Sequence, residues 1–249
     1  MSTTDPLAPS RIELCQSRAD LSAPFHGGTY VVVDVFYFST TVVELLAAGA
    51  DCVHVPLSGS DPAAFKRVNP EALVGGEGDG HEPDAHHDFF NSPSDAHRLS
   101  LDGRPVSMTS HNGGATVADL RAADADVYVA STTNAAAVGR RLRSVEGPVT
   151  LVCAGRDGDE TPEDTLGALL VSRYATGCPV EADLRAAYAE RLREIRSPLD
   201  ELPEHRRRDV TEFVAAIDSR AVVPRLDADR LRDDAETTDP VAARTPVRS

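Results

Sequence analysis

Residues 30–50, YVVVDVFYFSTTVVELLAAGA, decide the fold. Val31, Val32 and Val33 make an apolar run of strand length, and the spacing then changes to the helical one of Val42, Val43, Leu45 and Leu46. The joint between them is polar. Asp34 ends the run, and Thr41 with Glu44 three residues on has the form of a capping box, which predicts a helix from Thr41 with its free N–H groups facing the strand end. A carboxylate then lies beside an anion-binding helix terminus, and a metal-bridged phosphate ester would use both features. Read plainly, Asp34 is a strand-end residue paired with a nearby amide.

The same alternation continues in both directions. Arg11 to Gln16, Asp51 to Leu57, Ala72 to Gly76, Pro105 to Ser110, Asp126 to Ser131 and Val149 to Ala154 read as strands. Helical patterns lie between them, with Ser92-Pro93 and Thr161-Pro162 as cap-and-proline starts. This predicts an α/β fold, a mostly parallel sheet covered by helices. From Cys178 the pattern turns helical over Glu181 to Ile195 and Leu202 to Ile217, and Ala221 to Pro224 would return a strand to the sheet edge. Residues 1–226 are therefore expected as a single domain with 178–226 its more helical part, and 227–249, polar and charged, as a disordered tail.

Several polar groups fall just after strands: Asp34 with Ser39 and Thr40, Gly76 with Glu77, Asn112 with Gly113, Ser131 with Asn134, and Gly155 with Arg156. In an open parallel sheet these positions share one edge, where ligands bind. Glu77 suits a hard cation, although a loop carboxylate explains it too. His111-Asn112-Gly113-Gly114 lets backbone amides approach an anion, and Asn112 as a helix cap is an equal reading. Asp164, three residues after Thr161, is accounted for by a capping box and ranks below Asp34 and Glu77 as a metal ligand. His81, His86 and His87 lie among Glu82, Asp84 and Asp88, but their spacing is not that of a zinc helix, and a solvated acidic loop explains them more simply.

The 249 residues carry 40 Asp and Glu against 25 Lys and Arg, a net charge of -15, and Lys66 is the single lysine. Such acid spread along a chain resembles proteins of salt-loving cytoplasms, where salt screens self-repulsion. It argues against nucleic acid as a partner, since no basic patch is present. Cys15, Cys52, Cys153 and Cys178 form no C-x-x-C pair, so neither a disulfide framework nor a thiolate zinc site is indicated. No signal peptide and no run of membrane-spanning length appears, so the expected location is the cytoplasm. The residue six beyond Cys153 is Asp159, not the arginine of a cysteine phosphatase, and Asp34-Val35-Phe36 lacks the second acid of an aspartyl-phosphate enzyme.

Taken in order, VVVDVFYFSTT, GGEGDG, FFNSPSD, TSHNGG, VYVASTTNAAAV, VTLVCAGRDGDETPEDTL and AIDSRAVVP resemble the magnesium-dependent 2-phosphosulfolactate phosphatases of coenzyme M biosynthesis, over roughly residues 30–224. The resemblance implies a three-layer α/β/α fold, Mg²⁺, and hydrolysis of a phosphate ester on a small acidic 2-hydroxy acid. It carries a small phosphorylated organic acid as partner and admits a homo-oligomer. The candidate site then comprises Asp34, Glu77 and Arg156 as catalytic residues. Ser39, Thr40, Asn91, Asn112, Gly113, Ser131 and Asn134 are the candidate phosphate binders, and Asp34, Glu77 and Asp164 the candidate Mg²⁺ ligands. Three departures stand out: Tyr37 replaces the arginine of the family's D-V-L-R-A-T-S-T, His111 opens its T-N-G-T, and Gly167 replaces a helix cysteine. With Tyr37 a neutral phenol, Arg156 is the remaining cation of the motif set. The alternative reading is a non-catalytic small-anion binder that keeps the fold.

Overall fold

The computed structural model describes residues 11–21, 28–57, 60, 62–78, 84–122 and 125–234. The chain alternates strands and helices as far as its middle: β1 (Arg11–Cys15), β2 (Thr29–Val33), α1 (Phe38–Ala47), β3 (Val53–His54), α2 (Pro62–Val68), β4 (Leu73–Gly76), β5 (Phe89–Phe90), α3 (Pro93–Ala96), β6 (Val106–Thr109) and α4 (Gly113–Arg121). It goes on through β7 (Asp126–Ala130), α5 (Ala135–Leu142), β8 (Pro148–Cys153) and α6 (Pro162–Ala175) to the helical segment α7 (Ala182–Ile195) and α8 (Glu204–Arg208). A π-helical turn over Asp209–Val214 follows, and the described chain closes with β9 (Pro224–Asp227) and β10 (Arg230–Asp233).

All ten strands join one sheet in the order β1-β8-β2-β7-β9-β10-β3-β6-β4-β5. Pleating explains how β2 serves two cores, because successive side chains point to opposite faces. Val31 and Val33 face a layer containing Val138 and Leu142 of α5 and Leu170 and Val171 of α6, together with Leu192 and Val210. Val32 faces the other layer, with Val42 and Leu45 of α1 and Val117 and Leu120 of α4. The result is the expected α/β/α sandwich on a mostly parallel sheet.

The last two strands differ from expectation in place and extent. β9 does not return to the edge. It pairs antiparallel with β7, while β10 pairs antiparallel with β9 and with β3, so the hairpin occupies the middle of the sheet. Residues 230–233, expected within a disordered tail, are one of these strands. Leu231 is fully buried there, which contributes about 2 kcal/mol, and its backbone completes ladders on both sides. A single buried leucine among Arg230, Arg232 and Asp233 has no visible hydrophobic run, which is why composition misplaced it. Residues 235–249 lie outside the described residues.

The hairpin also changes the meaning of the strand ends. β1, β8, β2 and β7 are mutually parallel, and so are β3, β6, β4 and β5, but the antiparallel pairs between them make the two groups run in opposite senses. The polar strand ends therefore do not share one parallel edge as expected. α4 packs on β2 and α1 on both β7 and β3, which brings the end of β6 to the end of β2 across the two groups.

Candidate functional site

Asp34 occupies the junction between two helix starts. α1 begins at Phe38, three residues earlier than expected, because the Asp34 carboxylate itself accepts from the Phe38 amide through Oδ1 at 3.2 Å. Its Oδ2 accepts from the Gly113 amide, the first residue of α4, at 2.9 Å. Two helix N-termini thus hold one buried carboxylate, as their partial positive charge favours. Gly113 is required for this approach, since a Cβ there would lie 2.5 Å from Asp34 Oδ2. The expected capping box at Thr41 is not formed. Thr41 Oγ1 donates to the Tyr37 carbonyl, and Glu44 instead pairs with Arg220 at 2.9 Å.

Asp164 is the second buried carboxylate. Its expected capping role is absent, for Thr161 makes no side-chain cap bond, and Asp164 reaches across to the Val35 amide (2.8 Å) and the Gly155 amide (3.0 Å). Glu77 is the third carboxylate and follows β4. Its amide donates to the Thr109 carbonyl, its Oε1 accepts from Asn91 Nδ2 at 2.7 Å, and Oε2 lies 3.3 Å from His111 Nδ1.

These three carboxylates line one cavity of about 290 Å³, together with Asn112, Arg156 and Glu163. Desolvation, and then the charges of Asp164 and Glu77, push the Asp34 carboxyl well above its usual range against the opposing pull of the two amides. Burial likewise raises Asp164 to about 7, with Glu163 adding to the shift and the Val35 and Gly155 amides opposing it. A carboxylate cluster with this cost is one that a cation would relieve. Among the described residues no three His, Cys, Asp or Glu side chains form a ready-made metal cluster. The donor set nevertheless fits Mg²⁺, a hard ion that commonly takes one or two carboxylates and completes its shell with water and phosphate oxygens.

The cavity's further cations come from residues that the sequence motifs did not contain. Arg196, at the end of α7, and Arg206, in α8, line the cavity beside Phe36 and Tyr37. Arg156 is therefore not the remaining cation. Arg206 Cζ stands 4.1 Å from the centroid of the Tyr37 ring and 4.4 Å from that of Phe90. Neither arginine sits in a glycine-rich or strand-end motif. The signal was only their presence on charged helices such as EHRRR, where a surface role is the ordinary expectation.

Other expected phosphate binders lie elsewhere. Ser39, Thr40, Ser131 and Asn134 are fully buried and do not line the cavity. Ser39 Oγ accepts from the Asp34 amide, Thr40 Oγ1 lies 2.6 Å from Ser131 Oγ, and Asn134 Oδ1 accepts from the Ser131 amide. The Gly113 amide is already committed to Asp34. Asn91 is outside the cavity lining and donates from Nδ2 to Glu77, and Asn112 lines the cavity while its Oδ1 accepts from the Asp157 amide at 3.2 Å. Of the histidine loop, His81 and Glu82 lie outside the described residues. His86 is exposed, and His87 Nδ1 accepts from the Asp84 amide at 3.3 Å.

Comparison with known sequences places the chain in a family. The pattern of the family described as 2-phosphosulpholactate phosphatase matches residues 16–227. A protein of Symbiobacterium thermophilum named "Probable 2-phosphosulfolactate phosphatase" is 40% identical over 172 residues, 67% of this chain and 72% of that protein. Proteins of the same name from Thermoplasma acidophilum and Thermotoga petrophila are 30% and 29% identical, the matches covering 78% and 82% of this chain and 84% and 91% of theirs. Among the described residues no helix is long and apolar enough to cross a membrane.

Proposed function

Because the chain belongs to the 2-phosphosulfolactate phosphatase family, we propose that it is a Mg²⁺-dependent phosphatase acting on 2-phosphosulfolactate or a closely related phosphorylated 2-hydroxy acid. The observation that carries this reading is one cavity lined by the carboxylates of Asp34, Glu77 and Asp164 and by the guanidiniums of Arg156, Arg196 and Arg206. A phosphate ester of an acid carries negative charge at both ends and can use a cation held by the carboxylates together with the arginines.

One or two of Asp34, Asp164 and Glu77 would hold the ion directly and the rest through water, and the ion when bound would supply positive charge to the phosphate oxygens and offset the repulsion among the carboxylates. The chain's own residues do the rest. The Phe38 and Gly113 amides fix the Asp34 carboxylate, and the Val35 and Gly155 amides fix that of Asp164, so neither must reorganise when substrate arrives. Asn91 orients Glu77. Arg156, whose side chain is 64% exposed at the cavity, is free enough to close on a phosphate oxygen and share its charge.

The test is phosphate release from 2-phosphosulfolactate and from 2-phospholactate by chelator-treated protein, with and without added Mg²⁺, at low and at molar salt. Release that requires Mg²⁺ is expected. Absence of release from either ester under all four conditions would favour the non-catalytic anion binder instead.

A further inference from the structure

Arg196 and Arg206 have a construction of their own. Arg206 is fixed from three directions: its guanidinium stacks between Tyr37 and Phe90, and its Nη1 donates to the Asn91 carbonyl at 2.8 Å and to Asp209 Oδ2 at 3.2 Å. Asp209 is itself fully buried and held by Ser92 Oγ at 2.7 Å and the Ser94 amide at 3.0 Å. Arg196 is held differently. Its Cζ lies 5.5 Å from the Phe36 ring centroid and 6.0 Å from that of Tyr37, and its Nε is buried without a hydrogen-bond partner. A buried guanidinium N–H with no acceptor is costly, and here it belongs to a side chain that lines the cavity. Tyr37 is the surface common to both arginines, 5% exposed, with its ring under each guanidinium.

We infer that Arg196 and Arg206 form a subsite for the non-reacting acid group of the substrate, a carboxylate or sulfonate, and that Tyr37 is the positioning residue that aligns them. Two guanidiniums offer the forked donors that a three-oxygen or two-oxygen anion takes in pairs. The phosphate would be drawn to the ion that Asp34, Asp164 and Glu77 would hold, which leaves the acid end of the ligand to the two arginines. Tyr37 thereby replaces a motif cation by presenting two cations from the helical segment. The word substrate rests on the phosphatase reading. The binding of an acid does not.

Two readouts separate these dependencies. The first compares 2-phospholactate with isopropyl phosphate, which has a methyl group in place of the acid. Arg196→Gln should lower the preference for the acid ester over the neutral one by roughly 10- to 100-fold, mainly through KM, as expected for one lost charge-assisted contact. Tyr37→Ala should move the preference the same way, whereas Tyr37→Phe, which keeps the ring, should stay within about threefold of wild type. Equal losses on both esters would place the arginines on the phosphate and overturn the inference. The second readout is calorimetric titration of sulfolactate into Mg²⁺-loaded protein, where Arg196→Gln should weaken binding at least about tenfold. Equal affinity, or no binding to wild type, overturns the subsite. Wild type that binds sulfolactate yet releases no phosphate would refute the phosphatase reading and leave the subsite standing. Arg206→Gln is the less decisive variant, because it leaves buried Asp209 without its cation, and Arg196→Gln carries the test without that complication.

Discussion

Ser39, Thr40, Ser131 and Asn134 are as buried as Asp34 and Asp164, and all six lie close to strand ends or helix starts. The first four are neutral and already bonded: Thr40 reaches Ser131, Asn134 takes the Ser131 amide, the Asn134 amide group ends on the Val129 and Val222 carbonyls, and Ser39 takes the Asp34 amide and donates to the Val32 carbonyl. They have little left to offer a ligand. The two aspartates also receive two amides each, yet burial raises both pKa values, helped at Asp34 by the charges of Asp164 and Glu77 and at Asp164 by that of Glu163, so each carboxylate is costly to ionise without a cation. Ionisable groups that face a cavity and want a cation, rather than polarity after a strand, separate the site from its scaffold.

The largest effect should come from Asp34→Asn, which removes one such group. Turnover should fall by on the order of 10³-fold if the carboxylate holds the ion beside the reacting phosphate. Thermal melts supply the independent check. Mg²⁺ at about 100 times its Kd stabilises a binding-competent fold by about 2.7 kcal/mol, and this gain should appear in wild type and vanish in the variant. The substitution is not silent for the fold, because the new side-chain NH₂ must face either the Phe38 or the Gly113 amide, donor against donor. Wild-type turnover in a folded Asp34→Asn protein would end the distinction drawn above.

Asn134→Ala probes the other side of the comparison. It removes the acceptor of the Ser131 amide at 2.8 Å and the donor to the Val222 carbonyl at 3.0 Å, in a place no water can readily reach. Unfolding in denaturant should show a loss of about 3 kcal/mol, while kcat/KM of the folded fraction stays within about threefold. A collapse of kcat/KM without a loss of stability would show that the sealed cluster takes part in the reaction.

What could be read in the sequence follows the same division. Val31 to Val33 and the helical spacing after them announced β2 and α1, since burial on two faces demands apolar side chains in a recognisable period. Asp34, Glu77 and Arg156 were legible because they are charged residues directly after strands. The start of α1 was not, because the residue that caps it is Asp34, four positions before the first helical amide, and no local capping rule spans that distance. β10 was illegible for a compositional reason, having one buried apolar side chain among charges. Arg196 and Arg206 were illegible for a topological one: only the packing of α7 on α6 and of α8 on α3, both also against the π-helical turn, sets them over Phe36 and Phe90 at the cavity rather than leaving them solvated helix charges.

The smallest effect is expected from the residues that look most like a metal site on paper. His86 is exposed, and its amide donates to Asp84 Oδ1 at 2.9 Å, a bond within the loop that any residue at 86 can make. His87 accepts one amide through Nδ1, and neither histidine lines the cavity of the carboxylates and arginines. Changing both together to Asn removes at most one weak side-chain bond on a surface loop, so stability should change by no more than about 0.5 kcal/mol and turnover by less than about twofold. Zinc or manganese added to metal-stripped protein should then affect wild type and the double variant alike. Complete loss in the variant, with zinc restoring wild type alone, would mean that an exposed histidine loop performs chemistry while buried carboxylates do not. The criterion of buried ionisable groups facing a cavity would then be the wrong one for this fold.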